Sequence, residues 1–170
     1  MNMIEAVKSV LTQYVGFSGR ARRSEYWYWI LATILVGIVV AIIELALGLS
    51  SEGSGPISGL LNLAVFLPGL AVSFRRLHDT GRSGWWIGGF YLAALAFIII
   101  FVGIALSASN GTVEPNTTAL ASMGVIGIGF VIAVLVYAIV LLIFFCQDSD
   151  KGQNKYGPNP KNEGNYDVFE

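Results

Sequence analysis

The densest run of groups able to do chemistry is Arg75-Arg76-Leu77-His78-Asp79-Thr80-Gly81-Arg82-Ser83-Gly84-Trp85-Trp86. Three guanidiniums, an imidazole, a carboxylate and two hydroxyls fall within it. Arginine grips phosphate through a planar fork of N–H donors. The glycines leave backbone N–H groups able to close around an anion. The pattern suits anion binding: Arg75, Arg76 and Arg82 hold the anion, His78 adds a pH-dependent donor, and Asp79 orients one of them. The plainer alternative is a set of charges that only pins the chain at a boundary, with Asp79 capping a turn or paired with Arg76 or Arg82. A second basic block, Phe17-Ser18-Gly19-Arg20-Ala21-Arg22-Arg23-Ser24-Glu25-Tyr26-Trp27, supplies Arg20 and Arg23, placed to converge with the first. Glu25 is expected to pair with an arginine, because a lone carboxylate beside a long apolar run is costly.

Catalysis is poorly served. Ser83 has only His78 and Asp79 as base and orienter, and these two are adjacent and diverge on a helix, so a loop geometry is required. One histidine and one cysteine, Cys146, lie too far apart in the chain to suggest a metal site, and a single cysteine forms no internal disulfide. Phosphate-loop, zinc-protease and serine-hydrolase motifs are missing. The expectation is a protein without cofactor, metal or enzymatic activity.

The elements that position these groups are long and apolar. Apolar residues make up 55% of the chain and charged residues 12%, against roughly 25% charged in soluble domains. Four runs, 26–49, 57–74, 85–106 and 120–146, are about as long as the ~20 residues needed to cross a bilayer as helix. All ten Lys and Arg fall before the first run, between the second and third, or after the fourth. Cations stay on the cytoplasmic side, so both termini read as cytoplasmic. Trp27, Trp29, Trp85 and Trp86 fall at the same interface and are expected as anchors there. Residues 3–15 carry Met3, Ile4, Val7, Val10, Leu11, Tyr14 and Val15 at helical spacing. They read as an amphipathic helix lying in the interface or packed on the chain's own cytoplasmic loops. The whole is an all-α integral membrane protein, an up-down bundle of four transmembrane helices in one domain, with a cytoplasmic polar cap. Gly37, Ala41, Gly129 and Ala133 suit close helix approach.

Three further features stand out. Glu44 is the only carboxylate within an apolar run. Asn62 should lie at matching depth in the second run, so a Glu44–Asn62 hydrogen bond is expected, with a proton or cation relay as the sharper alternative. Pro68 has no N–H for the carbonyl of Ala64, which predicts a kink. Finally, Asn154-Lys155-Tyr156-Gly157-Pro158-Asn159-Pro160 reads as a specified tight turn. It is expected to fold back on the cap with Tyr156 stacked on an arginine, leaving the chain disordered beyond Lys161.

Three segments resemble the signatures of a bacterial inner-membrane family catalogued as domain of unknown function 805. They are Phe17-x-Gly-Arg-x-x-Arg23-x-Glu-Tyr-Trp27, Pro68 ahead of Arg75-Arg-Leu-His-Asp79-x-Gly81-x-Ser-Gly-Trp-Trp86, and Gly152-x-Asn154-x-Tyr-Gly-Pro158-x-Pro160. The resemblance covers nearly the whole chain. It implies a small multi-span protein of the bacterial inner membrane and no established reaction. The residues themselves favour a non-enzymatic envelope structural or interaction protein whose Arg/Trp-rich cap binds anionic lipid headgroups of the cytoplasmic leaflet or another phosphate-bearing ligand, with a second copy of the chain or another inner-membrane protein as candidate partner. Nucleic acid is not an expected partner. The alternative is a small oligomeric transporter or channel built on Glu44, Asn62 and the Pro68 kink, and a phospholipid-headgroup enzyme ranks last.

Overall fold

A computed structural model describes residues 1–49, 55–109 and 117–161, with only the backbone described at 107–109 and 117–123. The expected outer connections around 50–54 and 110–116, and the chain end beyond Lys161, lie outside the described residues. Five helices follow in order: α1 (Met3–Thr12), α2 (Arg23–Ala46), α3 (Pro56–Asp79), α4 (Trp85–Ser109) and α5 (Thr117–Cys146). Among the described residues there is no strand, only an isolated bridge between Asn154 and Gly157. α2 to α5 are each long and apolar enough to cross a membrane. Their apolar side chains are largely exposed, Ile99 and Leu63 at 62% and 71% for example. Such a surface is stable in hydrocarbon and not in water.

The chain divides into two compact units. The first, Met1–Gly84 with Phe145–Glu170, holds α1, α2, α3 and the C-terminal segment. α2 and α3 run antiparallel, since Glu25 meets Arg75 near one end of the hairpin and Glu44 meets Ser58 near the other. α1 packs on both of them with Ala6 and Val10 fully buried. It starts in a capping box: Asn2 Oδ1 accepts from Glu5 N at 2.8 Å and Glu5 Oε2 accepts from Asn2 N at 2.9 Å. The second unit, Trp85–Phe144, is the α4–α5 hairpin. Its antiparallel register shows in stacked or edge-on rings: Trp86 with Phe144, Phe90 with Tyr137, and Phe97 with Phe130.

Four expectations are revised. The second span does not end at 74, because α3 continues helically to Asp79. Arg75, Arg76, His78 and Asp79 therefore sit on its last turns and not in a loop. The helix stops there because Thr80 and Gly81 close a Schellman motif: Gly81 N donates to His78 O, Arg82 N donates to Leu77 O, and Gly81 adopts φ +70°. Glu44 does not meet Asn62. It is 1% exposed and caps the start of α3, accepting from Ile57 N at 2.6 Å, from Ser58 N at 2.9 Å and from the Ser58 hydroxyl. The first-turn amides of a helix are orphan donors at the positive end of its dipole, and so outcompete a neutral amide side chain. Asn62 is exposed. Trp29 is not an interface anchor but is 4% exposed, packed where a methyl at Gly69 would lie 3.4 Å from its Nε1. Gly37 and Gly129 have no neighbour within 4 Å of an added methyl, so neither closes a helix contact among the described residues.

Candidate functional site

At the Arg23/Asp79 end of the first hairpin, three distant stretches of chain build one polar cap around buried charges. Arg20, Glu25, Arg75, Arg76 and Asp79 are all buried. Asp79 lies at the centre. Its Oδ1 accepts from Arg20 Nε at 2.9 Å, and its Oδ2 accepts from Arg76 Nη1 and from Ser149 Oγ, both at 2.5 Å. The Arg76–Asp79 pair spans one helical turn, and Arg20 enters from the segment before α2. A second pair lies beside it. Glu25 Oε1 accepts from Arg75 Nη1 at 3.0 Å and from Ser9 Oγ of α1 at 3.0 Å, and Arg75 Nη1 also donates to Gln13 Oε1. Ion pairs this dry survive only with such additional hydrogen bonds.

The C-terminal segment is held by the remaining donors of the same arginines. Arg20 donates to the carbonyls of Asp150 at 2.6 Å, Gly152 at 2.8 Å and Gly157 at 3.2 Å. Arg76 donates to the carbonyls of Phe145, at 3.2 Å, and Gln147, and Arg22 donates to that of Pro160. The open carbonyls at the end of α3 are covered in return: Asp150 N donates to Asp79 O and Asn154 Nδ2 to His78 O. Tyr156 stacks face to face on His78, with ring centroids 3.8 Å apart and planes 7° apart, and not on an arginine. Its own amide donates to Asn154 Oδ1. Gly157 completes the turn at φ +135°, a conformation that side chains resist. Below the turn Asn159 is 1% exposed.

Of the seven residues expected to face an external anion, Arg20, Arg75 and Arg76 are turned inward onto the protein's own acceptors. Asp79 is the hub, and His78 is covered by Tyr156 with its Nδ1 3.3 Å from Gly19 O. His78 and Asp79 diverge, as adjacent residues on a helix must. Arg23 and Arg82 stay nearer the surface. Arg23 is 43% exposed and meets Asp148 at 3.2 Å, and Arg82 Nη1 donates to Thr80 O. Trp27, Trp85 and Trp86 are exposed. Ser149, Asp150 and Gln147 are participants that sequence reasoning did not select, because they contribute mainly backbone carbonyls or a short hydroxyl and carry no type signal. Among the described residues no cluster of histidine, cysteine and carboxylates could hold a metal ion.

The family described as "Protein of unknown function (DUF805)" matches residues 14–158, which contain the first two segments of the cap and the third as far as Pro158. The chain belongs to the DUF805 family. Proteins of Escherichia coli (strain K12) align with most of this chain. "Inner membrane protein YhaI" is 39% identical over 153 residues, covering 90% of this chain and 92% of the relative. "Inner membrane protein YhaH" is 36% identical over 155 residues, covering 91% and 94%. "Uncharacterized protein YiiR" is 29% identical over 143 residues, covering 83% of each. No solved structure matches. With its four apolar helices and these relatives, this DUF805 chain is a multi-pass inner-membrane protein.

Proposed function

We propose that this DUF805 protein is a non-enzymatic inner-membrane interaction protein whose cap lies on the cytoplasmic side and recognises anionic lipid headgroups through the cations left on its rim. The carrying observation is the division of labour among the basic residues. Arg20, Arg76 and the Nη1 group of Arg75 are committed to folding the cap, whereas Lys8, Lys151 and Lys155 are exposed. A rim of this kind beside an exposed Trp27 matches the charge and depth of an anionic leaflet, where each cation contributes about 1 kcal/mol. A catalytic reading is less well supported, since both oxygens of Asp79 and one face of His78 are occupied by structural partners. A relay through Glu44 is likewise disfavoured by its three bonds at the start of α3.

The test is lipid selectivity in nanodiscs mixing phosphatidylcholine and phosphatidylglycerol. Wild-type protein should enrich phosphatidylglycerol in its retained shell. A Lys8→Gln/Lys151→Gln/Lys155→Gln variant should lose that enrichment with unchanged folding. Equal retention by both would overturn the headgroup reading.

A further inference from the structure

Arg75 differs from the other two buried arginines of the cap. Its side chain is 1% exposed, and its guanidinium bonds through Nη1, to Gln13 and Glu25. Among the described residues, Nε and Nη2 have no acceptor. These two nitrogens form one edge of the guanidinium, with parallel N–H bonds spaced for two oxygens of a single oxyanion. A buried charged donor without an acceptor is more destabilising than a neutral one. The charge count points the same way. The buried cluster sets three guanidiniums, Arg20, Arg75 and Arg76, against two carboxylates, Glu25 and Asp79. Asp79 is saturated by Arg20, Arg76 and Ser149, and Glu25 Oε1 is taken by Arg75 Nη1 and Ser9. Water would satisfy the donors one at a time and leave the excess charge. An oxyanion supplies both acceptors and the missing negative charge.

We propose that the Nε/Nη2 edge of Arg75 binds one oxyanion of the phosphate class, free or as part of a lipid headgroup, where α1, the start of α2 and the end of α3 meet. The position is separate from the rim cations, so it stands whether or not the rim selects lipids. Gln13 is the exposed partner of Arg75 and bonds its neighbouring Nη1.

The test uses the full chain in phosphatidylcholine nanodiscs, titrated with inorganic phosphate in one arm and prepared with added phosphatidylglycerol in the other, and read by native mass spectrometry. Wild type should retain one tightly held phosphate-class adduct per chain. Arg75→Lys keeps the charge beside Glu25 but removes the fork, and should lower occupancy roughly tenfold or more. Gln13→Glu places a tethered carboxylate beside Arg75 and should exclude the adduct while the thermal midpoint holds, which keeps the test decisive if Arg75→Lys does not fold. An adduct in the phosphate arm identifies a free anion. An adduct only with phosphatidylglycerol identifies a headgroup. No tightly held adduct in wild type in either arm, or one retained equally by Gln13→Glu, would overturn the proposal.

Discussion

The hydroxyl of Tyr14 donates to the carbonyl oxygen of Ala64 at 2.5 Å. This is the carbonyl that Pro68, four residues on, leaves without its helical N–H. The bond ties the segment just after α1 to the middle of α3, and it explains how a proline is tolerated inside a span where water cannot solvate the freed group. The turn that follows α1 is thus part of the membrane domain's hydrogen bonding.

Removing that donor should be felt. Tyr14→Phe is expected to cost about 1–3 kcal/mol, the penalty of an acceptor left without a donor where hydrocarbon replaces water. Pro68→Ala restores an N–H for Ala64. In that background Tyr14→Phe should cost distinctly less, and the coupling can be read from a double-mutant cycle on thermal or denaturant unfolding in detergent. Equal costs in both backgrounds would show that the hydroxyl does not serve this carbonyl.

Asp79 holds two arginines and a serine at once. Asp79→Asn should destabilise the cap by about 3–5 kcal/mol, the range for breaking a buried ion pair from one side. Asp148→Asn, at the exposed pair with Arg23 and Lys161, should have a far smaller effect, because exposed ion pairs contribute little. Comparing the two unfolding midpoints checks this ordering.

Glu44→Gln keeps an oxygen to accept from Ile57 and Ser58 but removes the charge that faces the helix terminus. We expect a loss of stability, because a neutral acceptor holds the first-turn amides of a helix less firmly than a charged one. Ion flux in proteoliposomes should be the same for wild type and variant. A proton or cation flux present in wild type and abolished by Glu44→Gln would restore the transporter reading.

Lys161 Nζ donates to Asp148 Oδ1 at 2.5 Å, and this bond, followed by that from Ser149 N, holds the Asp148 carboxyl below the ordinary aspartate range. A lowered folded pKa means that the contact stabilises the docked segment above the ordinary carboxylate pKa and is lost as pH falls through the lowered value. Carboxyl carbon shifts followed against pH should give an Asp148 midpoint below that of free aspartate. Lys161→Gln should move the midpoint up. An unchanged midpoint would remove Lys161 as the cause.

Much of this was legible in the sequence, for reasons tied to particular residues. Run length and the placement of Lys and Arg mark four spans and one charged end. The cost of a lone Glu25 predicts an arginine partner, and Arg75 is that partner. The Pro158/Pro160 turn predicts a docked segment, and it docks. What failed were partner choices. Glu44 was matched to Asn62 by depth, a one-dimensional criterion that ignores the stronger donors at the start of α3. Tyr156 was matched to an arginine, but the guanidiniums are occupied by carbonyls, and His78 offers the free ring. The depth of burial of these cations is not legible in the sequence, because Arg20 and Arg76 are covered by the returning chain after Phe145 and Arg75 by the segment around α1 and the start of α2, contacts that no local spacing reports.

The docking of residues 147–161 by Arg20 and Arg76 is the relationship on which the cap depends, and hydrogen exchange measures it most directly. In wild-type protein in nanodiscs, the amides of Asp150, which donates to Asp79, and of Asn154 and Gly157, which bond each other's carbonyls, should be protected well beyond the rates of free peptide. Arg20→Gln should return them toward free-peptide rates while α2 and α3 stay protected. Free-peptide exchange of these amides in the wild-type protein would contradict a docked C-terminal segment and the cap built upon it.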